Sequence, residues 1–369
     1  MKAMMKRTIL RNLLRADGSA VDLIIENGIL TEVLAAGTAP GKDGFDGTGL
    51  YVSSGWIDLH VHAVPEFDPY GDEIDEIGVK QGVTTIVDAG SCGADRIGKL
   101  VQESAEARTR LLAFLNISHI GLTRIDELSQ LEWIDEERVR EALRLYPDFI
   151  VGLKARISQS VVKANGIVPL QMARRMAEDT GLPLMVHIGS GPPDIREVLP
   201  LLASRDVLTH YLNGKANNLF ASDGSPLPEL LAAVKRGVHL DVGHGNASFS
   251  FRTAEQARAA GIGFHTISTD IYRRNRVEGP VYSMSNLLSK FLYLGYSLEE
   301  VLAGVTDRAA AWLKRPELAG LTMGNPANLT LFAVNKGKLT LRDSEGEERT
   351  ATEYIEAKGA YVNGQLITG

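Results

Sequence analysis

The feature that most constrains this chain is a strand–loop–helix rhythm that repeats eight times over roughly 270 residues, the span of a (β/α)₈ barrel. The candidate strands are Trp56–His62, Thr84–Ala89, Leu111–Ser118, Ile150–Arg156, Leu184–Ile188, Val207–Tyr211, His239–Val242 and Phe264–Asp270. Several are unbroken apolar runs rather than alternating ones, as expected of parallel strands covered on both faces. Helical spacing of apolar and charged residues separates them, most clearly in Arg138–Leu145, Leu170–Glu178, Ile195–Leu202 and Glu229–Lys235. A doubly wound open sheet shares this rhythm, and periodicity alone does not separate the two. Both chain ends have a different texture. Asn27-Gly28 lies between the apolar runs Val21–Ile25 and Leu30–Leu34, a hairpin signal. Leu329–Val334, Gly337–Leu341 and Ala360–Val362 also read as strands, and Asn363-Gly364 as another turn. The expected fold is therefore α/β: a TIM barrel over residues 55–324, with a small β-sandwich domain built from residues 1–54 and 325–369.

Composition narrows the function. The net charge of −7 over 369 residues argues against a nucleic-acid surface. The single cysteine, Cys92, excludes an intramolecular disulfide and a cysteine-based zinc site. No stretch approaches the ~18 apolar residues of a membrane span. The segment Met1–Ala16 has no apolar core of signal-peptide length. A cytoplasmic enzyme, a homo-oligomer without membrane or nucleic-acid partners, is the expectation.

Chemistry-bearing residues gather at strand ends. His60 and His62 are two apart near the end of the first barrel strand, so both imidazoles share a face, which suits a divalent metal. Lys154, His187, His210 and Asp270 end the fourth, fifth, sixth and eighth strands. In a (β/α)₈ barrel all such ends meet at one face, where active sites lie.

Gly55-Trp56-Ile57-Asp58-Leu59-His60-Val61-His62 resembles the opening metal motif of the amidohydrolase superfamily, and the later series Lys154, His187, His210, Asp270 matches its binuclear branch in order. Gly320–Leu329 is similar to that family's return into its small β domain. The resemblance covers nearly the whole chain. It implies two divalent ions, zinc by ligand type: His60, His62 and Asp270 would hold one, and His187 and His210 the other. It also implies that Lys154 is N-carboxylated and bridges both. Such a pair lowers the pKa of a shared water and polarises a carbonyl, and Asp270 is expected to shuttle the water's proton to the leaving group.

Within the superfamily, adenosine- and cytosine-type deaminases carry a His-x-x-Glu where this chain has His187-Ile188-Gly189-Ser190. Dihydroorotases place an arginine two residues after the His-x-His, where this chain has Ala63-Val64, and hydantoinases a tyrosine shortly after the lysine, where it has Arg156-Ile157. Asp88-Ala89-Gly90-Ser91, Gly152–Arg156 and Ser289-Lys290-Phe291-Leu292 are similar to the dihydroorotase-like deacetylase subgroup, some of whose members hydrolyse acetyl esters of α-hydroxy acids such as acetyl-mandelate. The expected substrate is an acylated small carboxylic acid, as ester or amide. A ring-opening cyclic amidase and a non-catalytic scaffold on the same fold are the alternatives. Cys92 sits near the position where D-aminoacylase-like members use a cysteine ligand. With Lys154 in the bridging role, it is expected to pack beside the metals. Arg156 shares a strand face with Lys154 and suits a substrate carboxylate. His244, Gly245, Asn213 and His119, in loops following barrel strands, are further substrate-binding candidates. Arg273, Arg274 and Arg276 crowd the loop after Asp270, whereas His239 and His265 fall at strand starts and read as structural.

Overall fold

The computed structural model describes residues 7–41 and 43–368; Met1–Lys6, Lys42 and Gly369, which belong to the expected terminal segments, lie outside the described residues. The amino end supplies β1 (Arg7–Leu14), β2 (Ala20–Glu26), β3 (Ile29–Ala35), β4 (Phe45–Asp46) and β5 (Tyr51–Ser54). The central strands are β6 (Trp56–Val61), β7 (Val83–Ala89), β8 (Arg110–Asn116), β9 (Ile150–Ile157), β10 (Leu184–Ile188), β11 (Val207–Thr209) and β12 (His239–Asp241). The carboxyl end returns as β13 (Leu329–Arg342), β14 (Glu348–Val362) and β15 (Gln365–Thr368).

Strands β6 to β12 pair in parallel, each with its sequence neighbour, with helices between them. The expected eighth strand closes this sheet into a barrel by single bridges, Thr266 to Asp241 and Ile271 to Val61. Asp270 N–H donates to His60 O at 2.7 Å and His62 N–H to Ile271 O at 3.0 Å, while Gly245 N–H reaches Thr269 O at 2.9 Å on the other side. Two buried carboxylates take the place of a regular ladder. Asp58 accepts the Thr269 N–H at 3.0 Å as well as its hydroxyl. Asp241 accepts the hydroxyls of Thr266 at 2.7 Å and Ser268 at 2.6 Å. Asp270 itself stands at φ +52°, outside the extended range. The sixth strand ends at Thr209 rather than Tyr211 for the same reason, since His210 has φ +70°.

The terminal strands form one mostly antiparallel sheet in the order β15-β14-β13-β5-β1-β2-β3, with β4 beside β1. Both Asn-Gly turns form as expected: Asn27-Gly28 and Asn363-Gly364 all have positive φ. The expected strands Leu329–Val334 and Gly337–Leu341 are one strand, β13, with a register shift between Lys336 and Leu339. Most of β14 carries no apolar run, because its alternate residues face water. The helices Glu136–Leu145, Val168–Thr180 and Pro228–Lys235 lie where the periodicity predicts them. The expected helix over 195–202 tightens into a 3₁₀ turn at Leu199–Leu201, where Pro200 offers no N–H. Among the described residues, no helix is long and apolar enough to cross a membrane.

The two sheets meet at the first barrel strand. Trp56 packs on Phe332 with ring centroids 5.5 Å apart. The Thr330 hydroxyl accepts the Trp56 N–H at 3.0 Å and donates to Gly82 O at 2.6 Å, with all three groups buried or at the barrel's base. Thr330→Val keeps the shape and leaves two backbone groups unpaired, so it is expected to cost about 1–3 kcal/mol. Urea unfolding measures this; an unchanged midpoint would mean that the hydroxyl does not couple the sheets.

Candidate metal centre

The strand-end residues converge. His60, His210 and Asp270 each offer one ligand atom, and these atoms lie within 4.8 Å of one another. His187 and His210 rings meet edge to face at 4.4 Å, and His60 lies 5.0 Å from His210 and 5.6 Å from His62. Lys154 Nζ reaches His60 Nε2 at 3.3 Å and Met185 Sδ at 3.2 Å. Six residues from five segments of the barrel therefore form one contiguous cluster.

Hydrogen bonding on the far side of the His60 and His210 rings fixes where their lone pairs point. Thr209 donates its single hydroxyl proton to Asp241 at 2.8 Å, so it can only accept from His60 Nδ1, 2.9 Å away. His60 Nε2 consequently carries a lone pair, aimed at Asp270 Oδ1 only 3.4 Å away. His210 Nδ1 donates to the Gly243 carbonyl at 2.6 Å, which leaves Nε2 with a lone pair, buried and without a partner among the described residues. His62 Nδ1 pairs with Ser91 Oγ at 2.7 Å, and its Nε2 lies 3.1 Å from Asp270 Oδ1. Ser91 is held in turn by Asp88, which accepts its N–H at 2.7 Å. Orienting partners of this kind are what metal-ligating histidines need.

Burial reinforces this. It pulls His210 down to about 3, and His60 and His187 well below the ordinary imidazole value, so all three are neutral at neutral pH. Burial also brings the Lys154 ammonium down to about 7, against the attraction of Asp270. A converging set of neutral nitrogens and one carboxylate, with an orphaned Nε2 and no proton between Asp270 Oδ1 and His60 Nε2, fits a bound divalent cation. The backbone leaves room for this set. A Cβ at Gly90, which has φ +80°, would lie 2.6 Å from Lys154 Cβ, and one at Gly245, with φ +52°, would lie 2.4 Å from Asp270 Oδ2.

Beside these residues opens a cavity of about 140 Å³, walled by His60, His62, Lys154, His187 and Asp270 together with Tyr70, Arg156, Lys215 and the turn Asn246–Ser248. Arg156 lines it as its shared face with Lys154 predicts, while one guanidinium nitrogen pairs with buried Glu127 at 3.0 Å. The other expected substrate contacts are placed differently. His244 is buried, stacks on Phe249 at 4.6 Å, donates from Nδ1 to Gly245 O at 2.7 Å and accepts from Lys290 Nζ at 2.8 Å. Burial and the Lys290 charge hold it well below neutrality, so it is no base for the cavity. His119 turns outward to Asp95 Oδ2 at 2.7 Å, beside Arg138. Asn213 uses its amide within its own loop, donating to His210 O at 2.9 Å and accepting from Lys215 N at 3.1 Å. Gly245 backs onto Asp270 without lining the cavity. Cys92 is buried, its thiol pushed well up by that burial, and it stands apart from the His60–His210–Asp270 group. Arg276 is committed to Asp72 at 2.7 Å and Arg274 to Glu278 at 3.0 Å; Arg273 lies 3.8 Å from Asp72. Lys215 and Tyr70, absent from the sequence-based candidates, stand in the cavity wall; a lysine five residues past a strand-end histidine was the available signal for the first.

No family model matches the chain. The solved structure of a protein described as an adenine deaminase superposes with a TM-score of 0.94 at 38% identity, covering 98% of this chain and 99% of its own. A structure described as a dihydroorotase follows at 0.90 and 31%, covering 99% and 98%. A deacetylase from Enterococcus faecalis is 38% identical over 97% of this chain and 98% of its own length. A deacetylase from Brucella anthropi is 32% identical over 96% and 89%. The chain belongs to the amidohydrolase superfamily. Within the superfamily it groups with dihydroorotase-like deacetylases, and it is a hydrolase.

Gly245→Ala tests how this amidohydrolase holds Asp270. The variant is expected to fold, with a thermal midpoint within a few degrees of the parent, yet to bind far less divalent metal after reconstitution, because the new methyl displaces the Asp270 carboxylate. Full metal content by elemental analysis would mean that Asp270 has room to move.

Proposed function

We propose that the protein is a binuclear metal-dependent hydrolase that removes an acyl group, foremost acetyl, from the ester or amide of a small α-substituted carboxylic acid. The observation that carries this reading is the set of imidazole lone pairs and one carboxylate aimed at a common point beside a cavity with cationic walls. His60, His62 and Asp270 would hold one ion, zinc by ligand type, and His187 and His210 the other. Lys154 would serve both as its carbamate: the unprotonated amine adds to carbon dioxide, a C–N bond forms, one proton leaves, and an anionic group with two oxygens results. Bound there, the ions would acidify a water and polarise the scissile carbonyl.

The chain's own residues do the rest. Asp270 Oδ1 is turned to His60 and His62, and Oδ2 is free to take a proton and return it to the leaving oxygen or nitrogen. Burial pushes Asp270 upward, but the His62 hydrogen bond and the surrounding positive charge outweigh it and keep the carboxyl below its usual range. Arg156 offers a cation to a substrate carboxylate. The deacetylase relatives support acyl cleavage. Deamination is disfavoured because Asp270 is the one carboxylate in the cavity wall among the described residues. Ring opening of a cyclic amide, which the dihydroorotase-like neighbour favours, is the second reading.

A panel of O-acetyl α-hydroxy acids, N-acetyl amino acids, dihydroorotate, hydantoins and adenine separates these readings. Acetyl release from the linear compounds is expected; turnover of the cyclic amides or adenine alone would reject the proposal. On the preferred compound, Asp270→Asn is expected to lower kcat by at least roughly 10²-fold. In the parent enzyme, kcat/KM falls as pH drops, because Asp270 must be ionised, and this loss lies below the ordinary carboxylate value of about 4. Near-parental turnover by a fully metallated Asp270→Asn enzyme would assign the proton to another group.

A further inference from the structure

Lys215 has no part in the chemistry above, yet it is the cavity's least committed charge. It follows His210 by five residues, in a loop whose backbone is tied down on both sides: Lys215 N–H donates to Asn213 Oδ1 at 3.1 Å, and Lys215 O accepts from Asn218 Nδ2 at 2.8 Å. Asn213 in turn bonds the His210 carbonyl at 2.9 Å, so the lysine's base moves with a residue of the metal cluster. The side chain runs half-buried over Gly189. A Cβ there would lie 3.4 Å from Lys215 Nζ and 3.5 Å from His187 Nε2, which sets the ammonium beside the fifth-strand histidine.

No hydrogen bond or ion pair reaches Nζ among the described residues. The neighbouring cations differ in this respect. Arg156 gives one nitrogen to Glu127 at 3.0 Å and lies over the Tyr70 ring at 5.4 Å. Lys290 donates to His244 and to Pro280 O, both at 2.8 Å. A half-buried ammonium without a counter-ion is partly desolvated, and an anion arriving in the cavity gives it a charge-assisted partner. Among the described residues the cavity's one carboxylate, Asp270, is already turned to two histidines. We propose that Lys215 is the residue that selects substrates with a free carboxylate, seating that group between its ammonium and Arg156. Arg156, part-neutralised by Glu127, orients the carboxylate, and Lys215 supplies the net charge that rewards its presence. The inference rests on the acyl-hydrolase reading for its substrate class.

The test uses the full-length, metal-loaded enzyme and a matched pair: an O-acetyl α-hydroxy acid and its primary amide, which keeps the acetyl ester and lacks the carboxylate. In Lys215→Met the ratio of kcat/KM for the acid over the amide is expected to fall at least roughly tenfold, mainly through KM for the acid, and Lys215→Arg to restore most of it. A merely structural lysine would lower both substrates alike, and an unchanged ratio overturns the proposal. Calorimetry with the free α-hydroxy acid as probe needs no turnover. Binding by the parent that weakens at least roughly tenfold in Lys215→Met supports the assignment even if neither ester is hydrolysed, in which case the acyl-hydrolase reading alone fails. Equal affinity for parent and variant, or no binding to the parent, rejects Lys215 as the selector.

Discussion

The site depends on one buried carboxylate, Asp241. It accepts the hydroxyls of Thr209, Thr266 and Ser268 from three directions. The first of these bonds commits Thr209 to accept from His60 Nδ1, and so points the His60 lone pair inward. The other two hold the irregular eighth segment against β12 and bring Asp270 to its place beside His60 and His62. Asp58 performs the matching task from β6, through the Thr269 N–H and hydroxyl. Burial pushes both acids upward, Asp58 to about 7, and the hydroxyl and amide donors around them oppose that shift. Barrel closure and ligand orientation are therefore one network.

This explains which parts of the structure were legible in the sequence. Parallel strands covered on both faces leave continuous apolar runs, and β6 to β10 stand close to where those runs lie. The strand-end positions of His60, His62, Lys154, His187, His210 and Asp270 follow from that frame, and the structure brings all six together. The eighth strand was placed at Phe264–Asp270 although it has no apolar run, and its pairing through side-chain carboxylates leaves no periodic signature. Of the long β14 only the end, Ala360–Val362, was visible, because the outward residues of the rest are polar. Loop residues were harder still. His244 and Lys215 both follow strand ends, and only the packed structure distinguishes a histidine enclosed by Phe249 and Lys290 from a lysine that reaches the cavity.

The charge distribution links the centre to the proposed substrate. Around the lone pairs, burial keeps the imidazoles neutral, which leaves those lone pairs open to a cation. Around the cavity, Arg156 and Lys215 give the opposite preference, for an anion. A substrate with a hydrolysable carbonyl at one end and a carboxylate at the other satisfies both. The small volume, about 140 Å³, suits a compact acid rather than a polymer.

The central claim is that these lone pairs are the ligands of two metal ions. Elemental analysis of the full-length protein, reconstituted with zinc and bicarbonate and freed of loosely bound metal, tests it most directly. The account predicts close to two ions per chain; a well-folded preparation that never exceeds one would contradict it.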